Sequence, residues 1–215
     1  HDQPRSRCCS AVCQTAHRAD CPFPQEMHYE LPGLVIDNCA MAGRSSKTFR
    51  EEGRLDDIAA HIRPGDLLVV SFGHNDANRA KAERYVPADA FGESLRPFWD
   101  AARSHGAVCI FASPVAMREF DEAGVCHPSF AAYREAMRAF AAEVGAPFID
   151  LGAATAAANT AFGAERCKAR YMWVGAKQDN AHQQNAGACR TAQAFVQQLL
   201  QDTTPALDVL RANFK

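Results

Sequence analysis

Gly73-His74-Asn75-Asp76 follows the apolar run Leu67-Leu68-Val69-Val70-Ser71-Phe72. Four such residues in this order arise by chance, in a chain this long, roughly once in a thousand. A glycine at the end of an apolar run lets the backbone turn sharply, because no Cβ restricts φ. Asn75 then offers a side-chain NH2 beyond the run, and a fixed amide donor there can stabilise an oxyanion. The other reading is a polar turn, with Asn75 and Asp76 serving backbone groups ahead of a helix. A second segment, Asn38-Cys39-Ala40-Met41-Ala42-Gly43-Arg44-Ser45-Ser46, follows Leu34-Val35-Ile36 and Asp37. Gly43 can present a bare N–H to a ligand, or simply serve a turn. A third, Asp179-Asn180-Ala181-His182, puts a carboxylate three residues before an imidazole. The carboxylate can accept a hydrogen bond from one ring nitrogen, leaving the other basic, as general-base catalysis requires. Asp-x-x-His is a common chance pair; its weight here comes from its place just before the last apolar helical pattern.

Something must hold these segments together. The strand candidates are Leu34-Val35-Ile36, Leu67 to Phe72, Val108-Cys109-Ile110-Phe111-Ala112 and Phe148-Ile149-Asp150. They are continuous rather than alternating, as strands buried on both faces are. Between them lie helical stripes: Phe91, Leu95, Phe98 and Ala102; Phe130, Tyr133, Met137, Phe140 and Val144; Ala192, Phe195, Val196, Leu199 and Leu200. The alternation predicts an α/β fold with a parallel sheet covered by helices. Ligands in such sheets sit beyond the carboxyl ends of the strands. The polar segments around 38–46, 73–78, 113–118 and 179–182 fall there.

Composition narrows the function. The 215 residues suit one domain spanning 1–215, with an atypical segment over 1–30. A net charge of -2 argues against a nucleic-acid partner. No apolar run is long enough to cross a membrane. The start, His1-Asp2-Gln3-Pro4-Arg5, carries no legible secretory signal; secretion or a periplasmic location is expected if a signal peptide has been removed, and otherwise the cytoplasm. Nine cysteines lack the paired spacing of a zinc site, so no metal is expected. Cys39 and Cys109 read as core residues, and a disulfide within Cys8, Cys9, Cys13 and Cys21 is open in an exported protein. Trp99, Trp173, Tyr171 and Tyr133 read as core more readily than as stacking platforms. No Gly-x-Gly-x-x-Gly follows a strand, which disfavours a dinucleotide site.

In order and spacing, Asn38 to Ser45, Gly73 to Asp76 and Asp179 to His182 resemble the three later blocks of the SGNH, or GDSL-like, hydrolases. The rhamnogalacturonan acetylesterase-like branch is the best match. Ser113-Pro114-Val115-Ala116 and Tyr171-Met172-Trp173 extend the likeness, which runs from about residue 33 to the last helix. The resemblance implies a flavodoxin-like three-layer α/β/α sandwich with a central parallel sheet. It implies a carboxylic ester hydrolase acting on acyl groups of a carbohydrate, with no cofactor and a small-molecule or oligosaccharide ester as substrate. It makes His182 the general base, Asp179 its orienter, and Gly43 N–H and Asn75 Nδ2 oxyanion donors, with His74 and Asp76 supporting the loop.

The first block departs from the pattern. The family's Gly-Asp-Ser is missing. Ser10, in Cys8-Cys9-Ser10-Ala11-Val12, stands 28 residues before Asn38 and fits the family's spacing, as nucleophile and third oxyanion donor through its N–H. Gln3-Pro4-Arg5-Ser6-Arg7 ahead of it is a poor central strand. Pro24 to Tyr29 stands where the family often has a Gly-Trp-Gly-like stretch. Three readings stay open: Ser10 attacks, Cys9 attacks as a thiolate through the same base, or the fold binds ligands without catalysis. Nothing places Ser45, Ser46 or Ser113 opposite the His182 segment.

Overall fold

The computed structural model describes residues 7–12, as backbone, and residues 35–208. Expectations for Cys13, Cys21 and Pro24 to Tyr29, and for the side chains of Cys8, Cys9 and Ser10, lie outside the described residues. Five parallel strands form the main sheet: β1 Arg7–Val12, β2 Val35–Asn38, β3 Leu67–Ser71, β4 Val108–Ala112 and β5 Phe148–Ile149. Their spatial order is β2-β1-β3-β4-β5, the flavodoxin-like order with a switch point beside β1.

Side chains along a strand alternate between faces, and here the alternation divides the core. Leu68, Val70, Cys109 and Phe111 point to one face. They pack on α1 Ser46–Glu51, α2 Arg54–Ala59, α3 Ala88–Ser104 and α4 Ala131–Val144. Leu67, Val69, Ile110, Ala112 and Ile149 point to the other, against α6 Asn185–Gln201, while α5 Leu151–Phe162 begins with the buried Leu151 in the same cluster. The result is the three-layer sandwich. The stripe on α3 is core as expected, as are Tyr133, Met137 and Phe140 on α4, while Phe130 and Val144 are only partly buried. Cys109 is also core, and burial holds its thiol well above its usual pKa. Cys39 is only partly buried, packed against that cluster.

Several expectations need correction. β2 is an edge strand, and its residues alternate between exposed and half-buried instead of being enclosed. β1 does form, and it is central. It uses Arg7–Val12, with β2 and β3 on its two sides, so Ser10 lies inside the strand instead of following it. Asp150 is not a strand residue; it caps α5 by accepting from Ala153 N–H at 3.1 Å. Phe130 precedes α4 in a left-handed conformation, φ 55°. Leu200 is 37% exposed, so the α6 stripe ends at Leu199.

Candidate active site

The turn after β3 is built around Gly73. Its φ of 129° is open to glycine, and a Cβ there would lie 2.5 Å from Pro114 Cγ. The chain can therefore cross the turn after β4 only because this residue has no side chain. Asp76 closes the turn. Its Oδ2 accepts from Gly73 N–H at 3.0 Å, while Oδ1 accepts from Ser46 N–H at 2.9 Å and Ser46 Oγ at 2.6 Å. One buried carboxylate thus ties the β3 turn to the start of α1. Burial raises its pKa, and the bonds from Ser46 and Gly73 oppose that. Ser45 caps α1 with a reciprocal Thr48 bond, and Ser113 Oγ bridges Asp150 and Gly152 N–H. These buried hydroxyls are committed to structure, in line with their weak standing as nucleophiles.

The turn after β2 carries Gly43 at φ 78°. Three successive carbonyls of this turn are held by side-chain donors. Ala42 O accepts from Arg44 Nη1 at 2.9 Å, Gly43 O from Arg84 Nη1 at 3.0 Å, and Arg44 O from Asn75 Nδ2 at 3.0 Å. Asn75 is 6% exposed. The structure thereby brings Gly43 and Asn75, 32 positions apart in sequence, into one hydrogen-bonded unit. Arg44 joins them; it lies within the Asn38 to Ser45 block, but an arginine folding back onto its own loop leaves no spacing signal for that role.

Asp179 and His182 precede the last helix, as their place in the sequence suggests, but not on a loop. They lie on a strand instead, β7 Lys177–Gln183, paired antiparallel with β6 Tyr171–Val174 as a hairpin apart from the main sheet. Asp179 Oδ1 accepts from the N–H groups of Ala181 and His182, each at 2.9 Å. Asp179 Oδ2 lies 2.6 Å from His182 Nδ1, although the ring N–H does not point along that line. Such looseness is common before substrate tightens a site. Burial acts to raise the Asp179 pKa; the bonds from His182 and Ala181 outweigh it and hold the carboxyl below its usual range. An imidazole held by an ionised carboxylate at Nδ1 can accept a proton at Nε2.

Asn180, between them, anchors the hairpin. Its Oδ1 accepts from Trp173 Nε1 at 2.9 Å and Arg118 Nη1 at 3.2 Å, and its O accepts from Arg118 N–H at 2.7 Å. Trp173 lies under two cations, Arg118 and Lys168, each 4.7 Å from the ring centroid. Tyr171 is fully buried, its hydroxyl donating to Ala116 O at 2.6 Å, and Tyr133 donates to Val86 O at 2.7 Å. Those two tyrosines are core, as read from sequence.

His74 connects the halves. Its ring meets Phe130 edge-on at 4.7 Å, and Nδ1 is buried without a partner. Burial, helped by the nearby His182 charge, lowers its pKa to about 4. The two imidazoles are thus near enough to feel each other, which sets the hairpin beside the β3 turn. A histidine that the unfolded chain protonates near 6.5, and the folded chain near 4, binds more protons when unfolded between those values. Its contribution is therefore complete above pH 6.5 and lost as pH falls toward 4. Urea titrations of His74→Gln should flatten the stability gain between pH 4 and 6.5 by about 3 kcal/mol; an unchanged slope would overturn the reading.

Ser10 is located by backbone only. In β1 it is level with Asn38 of β2 and Val69 of β3, two residue steps, about 7 Å, before the end of β3. Among the described residues no group of three or more His, Cys, Asp and Glu side chains is placed to hold a metal, and no helix is long and apolar enough to cross a membrane.

The sequence profile of the GDSL-like Lipase/Acylhydrolase family matches residues 9–187. The chain belongs to that family. Within it, the relatives place the chain in the rhamnogalacturonan acetylesterase-like branch. It is 35% identical to the rhamnogalacturonan acetylesterase RhgT of Bacillus subtilis (strain 168) over 83% of this chain and 79% of that protein. It is 39% identical to the probable rhamnogalacturonan acetylesterase YesY of the same strain over 72% of this chain and 71% of that protein. The crystal structure of Bacillus subtilis YxiM superposes with a TM-score of 0.79 at 26% identity, covering 92% of this chain and 56% of YxiM. The family is one of carboxylic ester hydrolases, and the expected sandwich is the fold these proteins share.

Proposed function

We propose that the chain is a carbohydrate acetylesterase, with rhamnogalacturonan-type acetyl esters as substrates. The observation that carries this is the pairing of Asp179 with His182 beside a β3 turn whose Asn75 is joined to the Gly43 turn. The names of RhgT and YesY supply the substrate class. In this reading Ser10 Oγ attacks the acetyl carbonyl and passes its proton to His182 Nε2. Gly43 N–H, Asn75 Nδ2 and Ser10 N–H donate to the tetrahedral oxyanion. The C–O bond to the sugar then breaks, and the imidazolium returns its proton to the departing hydroxyl. Water, deprotonated by His182, attacks the acetyl-serine; acetate leaves and Ser10 recovers its proton. Asp179 stays ionised, supporting the imidazolium. The chemistry calls for no cofactor.

Ser10 enters on its spacing from Asn38 and its place in β1, and its backbone level two residues before the end of β3 makes it the member to test first. Wild-type protein should release acetate from acetylated rhamnogalacturonan and hydrolyse p-nitrophenyl acetate. Ser10→Ala should remove that activity to about the uncatalysed rate, while Cys9→Ala retains it. Full activity in Ser10→Ala removes Ser10 from the mechanism. No acetate release by the wild type sinks the esterase reading and leaves a non-catalytic carbohydrate-binding module.

A further inference from the structure

Arg44 touches both turns that carry the oxyanion donors of the proposed reaction. Its carbonyl accepts one Nδ2 hydrogen of Asn75 at 3.0 Å, which fixes the plane of that amide. Its guanidinium folds back so that Nη1 donates to Ala42 O at 2.9 Å. Ala42 O and Gly43 N–H belong to the same peptide group. A cation on the oxygen of a peptide draws electron density from its nitrogen, and the N–H becomes a stronger donor. The guanidinium is itself held: Nε reaches both oxygens of Glu52, at 2.9 and 3.1 Å. With Arg84 on Gly43 O, the flanking peptides cannot rotate without breaking a bond to a charged donor.

We propose that Arg44 is a positioning residue for the oxyanion hole: its guanidinium, on Ala42 O, strengthens Gly43 N–H, beside an Asn75 that the backbone carbonyl at this position already orients. It touches no reacting atom. The inference rests on the esterase reading above, in which Gly43 and Asn75 stabilise the oxyanion. Because stabilisation is needed only once charge develops on the carbonyl oxygen, the effect falls on kcat and not on substrate binding.

The test compares Asn75→Ala, Arg44→Met and Arg44→Lys on p-nitrophenyl acetate, with Tm and the 15N–1H amide resonance of Gly43 measured for each. Asn75→Ala should lower kcat by about 10²–10³-fold, the loss of one full donor. Arg44→Met should lower kcat by about tenfold with KM changed less than about twofold, because it weakens a donor without deleting one. The Gly43 amide resonance should move in Arg44→Met and return toward its wild-type position in Arg44→Lys, with part of kcat restored. Tm should fall little, since the lost ion pair with Glu52 is a third exposed. If Asn75→Ala collapses kcat while Arg44→Met leaves kcat and the Gly43 resonance at wild-type values, the Arg44 proposal is wrong and the esterase reading stands. If Asn75→Ala leaves kcat intact, the oxyanion assignment itself fails and takes Arg44 with it. A drop in Tm that scales with the loss of kcat in both Arg44 variants reduces the residue to a structural role.

Discussion

Replacing His182 by alanine should lower kcat/KM for p-nitrophenyl acetate by about 10²–10⁴-fold, the range a positioned general base supplies. The imidazole is placed by two kinds of contact from Asp179. Oδ1 takes the His182 backbone N–H at 2.9 Å, and Oδ2 faces Nδ1 at 2.6 Å. The backbone bond fixes where the residue starts; the ring contact fixes which nitrogen is turned outward. Asp179→Asn keeps the size of the side chain but removes its charge and can present an NH2 to Nδ1. The ring is then free to take the other tautomer, and the rate should fall by about 10³-fold with the fold intact. Far-ultraviolet circular dichroism and Tm separate this from misfolding. A variant of either residue with wild-type kcat/KM would remove the pair from the mechanism.

The second large effect concerns stability. Gly73→Ala combines a backbone at φ 129°, which L-residues rarely adopt, with a methyl group 2.5 Å from Pro114 Cγ. Proline cannot swing its ring aside, and Pro114 follows Ser113, whose Oγ is bonded to Asp150 and Gly152. Backbone strain and overpacking each cost about 1–3 kcal/mol, so about 3–5 kcal/mol is expected together. In a chain of this length that lowers Tm by about 10 °C. A fall below about 2 °C would mean that the two turns separate easily and that the close approach is not a constraint.

Sequence and structure agree where one interaction dominates. β3 and β4 are legible because burial on both faces demands an unbroken apolar run, and Leu67–Ser71 and Val108–Ala112 end within a residue of the expected limits. The Gly73 block is legible because glycine is the residue that fits the turn. The β7 strand was missed because Lys177–Gln183 is polar and only half-buried, with no alternation to betray a strand. β1 departs from its expectation for a related reason: the polar Gln3-Pro4-Arg5-Ser6-Arg7 segment contributes only Arg7, and the strand runs on through Ser10 to Val12. Phe130 continues the α4 stripe in spacing, yet its left-handed backbone sets it outside the helix and against His74. Arg44 and Arg84 hold backbone carbonyls across a loop, and such contacts depend on tertiary geometry that no local pattern encodes.

The two halves of the site differ in what the chain must do to make them. Tyr171 pairs with Gln183, so the arm bearing Asp179 and His182 closes over about a dozen residues. The cradle of Gly43 and Asn75 needs β1 beside β3, where Cys8 meets Leu67 across almost sixty. Short loops cost less entropy to close than long ones, and non-local parallel pairing is slow. The proposed base is therefore carried by a unit closed through local contacts, whereas the proposed oxyanion donors come together only once distant parts of the chain have met.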